Sequence, residues 1–104
     1  MRKVNMRDMS IDREYVIIAY DIVDNRSRTR IMKLLKGYGQ HTQKSVFECY
    51  LDSGQLQELK LKIAREIDEE KDSVRFYRLA QKEVTRIEIL GYGEVYEEPQ
   101  LVLL

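Results

Sequence analysis

The strongest constraint on the fold is a short apolar run that ends abruptly on a carboxylate. Residues Tyr15–Tyr20 are all apolar or aromatic, and Asp21 follows them directly. Successive side chains of a strand point to opposite faces, so a strand over Glu14–Val23 is apolar on both of its faces. An antiparallel sheet with one wet face should alternate between apolar and polar residues. Both faces of this sheet must therefore be covered.

The segments after this strand alternate between helical and extended patterns. Side-chain caps at Asp24, Asn25 and Ser27 and at Asp52 and Ser53 predict two helix starts. The apolar stripes of these helices are Ile31, Leu34, Leu35 and Tyr38, and Leu56, Leu59, Ile63 and Ile67. Gly37 and Gly39 end the first helix. Further strands are predicted over Thr42–Leu51, Ser73–Ala80 and Thr85–Leu90, followed by a turn at Gly91–Gly93.

These elements predict an α+β fold with a ferredoxin-like antiparallel sheet and two helices on one face. That fold has a hairpin between its two helices, whereas the patterns give a single strand there. The hairpin is expected within Thr42–Leu51, either from a bend at Lys44-Ser45 or from two strands that the pattern merges.

The chain, 104 residues long, predicts one domain over residues 14–92. A polar N-terminal tail, residues 1–13, precedes it, and Met6 and Met9 are alternative starts within that tail. Two helices cover only one face of a small sheet, so we expect the other face to pack on a second copy in a two-fold homodimer. Leu101–Leu104 is too apolar to remain in water, so we expect residues 93–104 to form a C-terminal edge strand, either on the chain's own sheet or on the partner's at that interface.

Charge and cysteine content restrict the possible functions. With 18 basic and 18 acidic residues the formal net charge is zero, so any nucleic-acid surface must be local. Every charged residue among residues 25–45 is a cation, whereas residues 66–72 are mostly acidic. This distribution predicts separate basic and acidic surfaces. One cysteine, Cys49, and one histidine, His41, exclude an internal disulfide and a zinc site within one chain. His41 is expected in an exposed loop. No run is long enough to span a membrane, and we expect a cytoplasmic protein.

The polar turn after the first strand favours nucleic acid as substrate or partner. A carboxylate at a strand end, here Asp21, can hold a divalent cation beside a phosphate backbone when arginines follow it. The arginines near the helix start can bind phosphate together with the amide groups there; they are Arg26, Arg28 and Arg30. The alternative is that Asp21 orders the turn by hydrogen bonds and that the arginines form a solvated face. Arg75 and Arg78 are likewise open to phosphate contacts or to pairing with acids.

Five segments, in order along the chain, resemble the CRISPR-associated protein two family. They are Tyr20-Asp21-Ile22, Arg28 with Arg30, Tyr38-Gly39, Gln43–Glu48 and Ser73–Tyr77. The resemblance covers about Tyr15–Tyr92. The chain departs from the family pattern in its N-terminal extension and in Cys49, which follows the Phe47-Glu48 pair.

This resemblance implies a ferredoxin-like homodimer with a C-terminal strand on the partner's sheet. It also implies a role in CRISPR spacer acquisition beside the integrase, CRISPR-associated protein one, and a Mg²⁺-dependent endonuclease activity on RNA or DNA. Asp21 is then the catalytic residue and the metal ligand. Candidate nucleic-acid contacts are Arg26, Arg28, Arg30 and Lys44, and the supporting residues are Ser45 and Phe47, although a core position is also expected for Phe47.

Two other functions remain open. A non-catalytic adaptor would bind DNA and the integrase without needing the Asp21 carboxylate. A ferredoxin-like regulatory dimer would bind a small ligand and no duplex DNA, even at low salt where phosphate contacts are strongest.

Overall fold

Four antiparallel strands and three helices make up residues 13–98, the part of the chain that the computed structural model describes. In chain order they are β1 (Glu14–Asp21), α1 (Asn25–Lys36), β2 (Gly39–Gln43), β3 (Val46–Leu51), α2 (Ser53–Ala64), β4 (Ser73–Leu79) and the short α3 (Gln81–Val84). The strand order in the sheet is β2-β3-β1-β4. The predicted ferredoxin-like α+β fold is therefore confirmed.

The apolar strand β1 lies in the interior of the sheet, between β3 and β4. Its residues Val16, Ile18 and Tyr20 are buried in the main core beneath α1 and α2. The helices contribute their predicted stripes to this core, with Ile31, Leu35, Leu56, Leu59 and Ile63 all buried. One face of β1 is thus covered by the two helices, as the alternation of its side chains predicts.

Both long helices begin at the predicted caps. The Asp24 carboxylate accepts a hydrogen bond from the Ser27 amide at 2.9 Å, and α1 starts at the next residue. At α2, the Asp52 carboxylate accepts from the Gln55 amide while the Gln55 side chain accepts from the Asp52 amide. This reciprocal pair is a capping box.

The predicted hairpin lies between the helices, but its strands differ from the Thr42–Leu51 prediction. That segment is two strands, β2 and β3, joined by a turn at Lys44-Ser45. Strand β2 begins earlier, at Gly39, and is polar along most of its length. An edge strand that is only half covered needs no apolar alternation, which explains why the pattern missed it. His41 accordingly lies on β2 and not in a loop.

The strand predicted over Thr85–Leu90 was wrong. The chain instead forms the single-turn helix α3 and then continues without regular structure to residue 98. The apolar residues of this segment bury themselves by packing flat on the sheet, where Val84 and Ile87 contact the aromatic rings at one end. The predicted strands at Glu14–Val23 and Ser73–Ala80 are confirmed with earlier ends, at Asp21 and Leu79.

The sheet face opposite the helices, called the outer face below, is only half covered by the chain itself. A second cluster of buried residues, centred on Tyr15 and Tyr50, packs beneath the segment that contains Val84, Val95 and Tyr96. Glu48 fastens this segment, because its carboxylate accepts hydrogen bonds from the Tyr15 hydroxyl and the Tyr96 amide. The chain's own residues thus cover one end of the outer face, and the packing of a second copy on this face stays a prediction.

The remaining expectations about the chain ends fall mostly outside residues 13–98. The predicted tail over residues 1–13 is described only at Arg13. The predicted C-terminal strand is described only at residues 93–98, which have no regular structure, and Leu101–Leu104 lies outside the described residues. Among the helices described, none combines the length and apolarity needed to cross a membrane.

The hairpin generates a stability test at Gly39. A Cβ atom at this position would overlap the Cys49 sulfur and the Glu48 carbonyl oxygen, whereas one at Gly37 would have only an ordinary contact with the Leu34 carbonyl. Overpacking of this kind costs about 1–3 kcal/mol. We expect Gly39→Ala to lower the free energy of unfolding in urea by that amount.

The matched control is Gly37→Ala, because Gly37 already has a right-handed helical backbone conformation. An alanine that fits its backbone conformation stabilises by about 0.4–1 kcal/mol. Equal free energies of unfolding for the two variants would contradict the close approach of β2 to β3.

Candidate nucleic-acid and metal site

Asp21 is the last residue of β1, and its side chain is exposed on the outer face of the sheet. It lies directly opposite Ser73 of β4. None of the hydrogen bonds or ion pairs among the described residues uses its carboxylate. The side chain opens into a shallow cavity that is lined by Tyr20, Asp21, Ile22, Arg28, Lys44 and Ser45. The turn of the β2–β3 hairpin and the start of α1 therefore meet at the Asp21 carboxylate.

Hydrogen bonds fix the backbone segments that line this cavity. The Tyr20 amide donates to the Ser45 carbonyl at 3.0 Å, and the Tyr20 hydroxyl lies 3.4 Å from the Lys44 carbonyl. Arg28 donates to the Ile22 carbonyl at 2.8 Å, which fixes the turn that follows Asp21. Burial raises the pKa of Tyr20 above its ordinary value, with Arg28 opposing that shift. Tyr20 is therefore a neutral hydroxyl at physiological pH.

The two supporting residues have different positions. Ser45 is half-buried and lines the cavity, whereas Phe47 is completely buried in the core. The Phe47 ring stacks on His41 with 4.4 Å between centroids and on Tyr20 with 6.4 Å. Phe47 thus supports the site by packing and does not reach its surface, as expected for a core residue.

The four candidate nucleic-acid contacts fall into two groups. Arg28 and Lys44 line the Asp21 cavity. Arg26 and Arg30 instead line a groove on α1 together with Lys33. The Asp24 carboxylate occupies the first turn of α1 by accepting the Ser27 amide, so this helix start is a poorer anion site than the sequence predicted.

The basic and acidic segments are neighbours, which corrects the expectation of separate surfaces. Arg30 lies 3.6 Å from the Glu66 carboxylate. Arg26 lines a second groove together with Glu66, Asp68 and Asp72 from the loop between α2 and β4. The ferredoxin-like topology brings the start of α1 and the end of α2 to the same end of the sheet. Charges that are far apart in sequence therefore partly neutralise one another.

Asp72 links that acidic loop to the turn that follows Asp21. Its carboxylate accepts the Val23 amide at 2.9 Å and the Asp68 amide at 2.8 Å. These backbone hydrogen bonds lower the pKa of Asp72 below its ordinary value, the bond from Val23 contributing most. One acid therefore fixes both the turn after β1 and the loop before β4. Sequence reasoning assigned Asp72 only to an acidic run, because its two partners are visible only in the folded chain.

Tyr20 lines the Asp21 cavity, and sequence reasoning left it without a role. Its place beside Asp21 in the motif was the available signal. The alternation of β1 assigns Tyr20 to the core face, and burial confirms that assignment while its hydroxyl still reaches the Lys44 carbonyl.

The donor set at Asp21 suits a weakly held magnesium ion. Mg²⁺ takes oxygen ligands, retains several waters and needs only one or two carboxylates when substrate phosphates complete its shell. Within residues 13–98 no three acidic, histidine or cysteine side chains cluster closely enough to hold a metal ion. At this cavity a single chain therefore provides one carboxylate, Asp21, with Ser45 lining the same cavity.

The family model and the relatives that match this chain all point to one family. The family model "CRISPR associated protein Cas2" matches residues 14–87. A CRISPR-associated endoribonuclease Cas2 of Chloroflexus aurantiacus is 44% identical over 85 residues, covering 82% of this chain and 91% of the relative. A CRISPR-associated endonuclease Cas2 of Halalkalibacterium halodurans is 43% identical over 81 residues, covering 73% and 84%.

Solved structures agree with the fold. The crystal structure of Streptococcus pyogenes Cas2 superposes with a TM-score of 0.67 at 34% identity, covering 74% of this chain and 99% of that one. A chain of a partial Cas6-RT-Cas1–Cas2 complex has a TM-score of 0.67 at 26% identity, covering 74% and 90%.

The two backbone hydrogen bonds that the Asp72 carboxylate accepts predict that the stability of the protein depends on pH. A carboxyl group whose pKa is lowered by folding stabilises the native state fully above its unfolded-state pKa, and this contribution is lost as the pH falls through the folded-state pKa. We expect the urea midpoint of the wild type to fall progressively as the pH drops below about 5. The fall should be smaller for Asp72→Asn, which has no carboxyl group to protonate.

Glu69→Gln is the matched control, since Glu69 is an exposed acid in the same loop. It should retain the acid sensitivity of the wild type. An Asp72→Asn variant with the full acid sensitivity would contradict the two backbone hydrogen bonds.

Proposed function

Because the chain belongs to the Cas2 family of CRISPR-associated proteins, we propose that it is a metal-dependent endonuclease subunit of the machinery that acquires CRISPR spacers. The observation that carries this proposal is the Asp21 carboxylate. It is exposed, takes part in no hydrogen bond or ion pair among residues 13–98, and belongs to a cavity with two cations, Arg28 and Lys44. A carboxylate without such contacts is available to bind a metal ion.

In the proposed reaction each residue has a separate task. Asp21 holds Mg²⁺ with Ser45 nearby, and the bound ion supplies charge stabilisation and activates water for phosphodiester hydrolysis. Lys44 and the remaining N–H groups of Arg28 hold the phosphate backbone beside the carboxylate. Arg28 is already fixed by its bond to the Ile22 carbonyl, so little side-chain freedom is lost when phosphate binds.

RNA and DNA both fit this chemistry. Phosphate contacts position a nucleic acid without selecting its sequence, and the cavity has no feature that distinguishes the two sugars. The relatives carry both names, an endoribonuclease in Chloroflexus aurantiacus and an endonuclease in Halalkalibacterium halodurans. We propose that either polymer is cleaved. Similarity to a chain of a complex that contains Cas1 supports the integrase as a partner.

We propose that the active form is a homodimer. One half of the outer face carries apolar side chains that the chain itself leaves partly open, among them Ile17, Ala19, Val46 and the 48% exposed Tyr77. Ile89 and Leu90, in the segment after α3, are also exposed, Leu90 completely. A two-fold contact of these faces would bring two Asp21 carboxylates to one axis and so provide the second metal ligand.

A non-catalytic adaptor is the second candidate function. It is favoured by the small donor set, since each chain offers one carboxylate at this cavity and, among residues 13–98, no group of three acidic, histidine or cysteine side chains that could hold a metal ion. In that case nucleic acid would still bind along Arg28 and Lys44. The Asp21 carboxylate would then be dispensable for the assembly of the complex.

Conversion of Asp21 to Asn tests the catalytic proposal. We expect Mg²⁺-dependent cleavage of labelled RNA or duplex DNA to fall by about 100-fold or more, because a metal contributes several kcal/mol to such a reaction. EDTA should abolish the wild-type activity. The matched control is Asp24→Asn, because asparagine caps a helix as well as aspartate does.

Cleavage by the Asp24→Asn variant should equal that of the wild type. If the Asp21→Asn variant also cleaves normally, Asp21 is not the metal ligand. If no variant cleaves although all bind duplex DNA, the adaptor function replaces the nuclease.

Introducing a charged side chain on the open half of the outer face tests whether this face forms the homodimer contact. We expect the wild type to have the mass of two chains in light scattering, and Tyr77→Glu to have the mass of one. The desolvation of the new carboxylate opposes the contact. Leu61→Glu is the control, because Leu61 is similarly exposed but lies on α2, on the opposite side of the sheet. Dissociation by Leu61→Glu alone would contradict the proposed interface.

A further inference from the structure

Arg75 lies on the same face of the sheet as Asp21 and close to it. In the register of β1 with β4, Asp21 is opposite Ser73 and Ala19 is opposite Arg75. Arg75 is therefore the diagonal neighbour of Asp21, and such neighbours have Cα atoms about 7–8 Å apart. A flexible arginine side chain spans that separation easily.

In the single chain Arg75 is exposed, and none of the hydrogen bonds and ion pairs among residues 13–98 uses its guanidinium group. It lies opposite Ala19, at the end of the proposed homodimer contact nearest Asp21. Arg78 of the same strand is different. It lies three residues along β4, so it points to the other side of the sheet, and it donates to the Glu14 carboxylate at 3.0 Å. Of the two arginines on β4, one is engaged in an ion pair and the other is available.

Arg75 adds a third cation on the β4 side of Asp21. Arg28 and Lys44 approach Asp21 from the α1 start and from the β2–β3 turn. Arg75 approaches from the opposite side, across β4. A polymer strand that lay over Asp21 would therefore meet cations on both sides of the reacting phosphate.

We propose that Arg75 is a substrate-binding residue that grips the phosphodiester backbone of the nucleic acid bound at Asp21. The proposal rests on the function proposed above. The planar guanidinium group can donate two parallel hydrogen bonds to one phosphate, which lysine cannot reproduce. Arg75 binds backbone phosphate, so its contribution is independent of base sequence.

Binding measured without cleavage tests this assignment separately from the nuclease activity. We would measure the affinity of wild type, Arg75→Ala, Arg75→Lys and Arg78→Ala for labelled RNA and for labelled duplex DNA, in EDTA. A charged hydrogen-bonded contact corresponds to about a tenfold change in affinity. We expect that loss for Arg75→Ala, a partial loss for Arg75→Lys and wild-type affinity for Arg78→Ala.

The salt dependence gives a second readout that a merely structural residue would not change. Removing one phosphate contact should reduce the slope of log affinity against log salt by about one. Arg75→Ala should show this smaller slope and Arg78→Ala should not.

Equal affinities and slopes for Arg75→Ala and Arg78→Ala would overturn the role of Arg75, while the Asp21 nuclease would stand. A wild type that binds but does not cleave would overturn the nuclease and leave Arg75 as a binding residue. A wild type that binds neither polymer at low salt would overturn both.

Discussion

The pairing of β1 with β3 on one side and β4 on the other is the interaction on which the rest of the structure depends. It places an apolar strand inside the sheet and buries Val16 and Ile18 beneath the helices. The same pairing brings the end of β1 level with the β2–β3 turn and the start of β4. Because the apolar run stops at Asp21, the last residue of this strand has a charged side chain that is exposed to solvent. The cavity at that point is a consequence of the sheet register.

The unequal cover of the outer face decides where a site can form. The segment after α3 covers the end with Tyr15 and Tyr50, and Glu48 fastens that segment by accepting the Tyr15 hydroxyl and the Tyr96 amide. Burial and this hydrogen bond raise the pKa of Tyr15 strongly, so its hydroxyl remains a donor at physiological pH. The other end of the face, with Asp21 and Arg75, is left for substrate and for a second copy. Stability and function therefore occupy opposite ends of one surface.

Much of the fold could be predicted from local sequence, but much of the site could not. Strand β1, both helix caps and the apolar stripes were predictable, since each depends on residues close together in the chain. Strand β2 was missed because its polar edge position leaves no alternation, and the segment after Leu79 was wrongly predicted as a strand because its apolar residues pack on the sheet instead of joining it. Asp21 was predictable from its position after an apolar run. The Asp72 tether, the Arg30–Glu66 pair and the place of Arg75 depend on contacts between distant elements, which no local pattern contains.

The most direct test of the central claim, a phosphodiester site at the Asp21 carboxylate, is to locate a bound metal ion in solution. Mn²⁺ can replace Mg²⁺ on oxygen ligands and broadens the NMR signals of nearby nuclei. We expect saturable broadening of the backbone amides of Tyr20, Asp21 and Ser45 in the wild type and its loss in Asp21→Asn. Broadening centred on the acidic loop around Asp68 and Asp72, unchanged in Asp21→Asn, would contradict the assignment of the metal to Asp21.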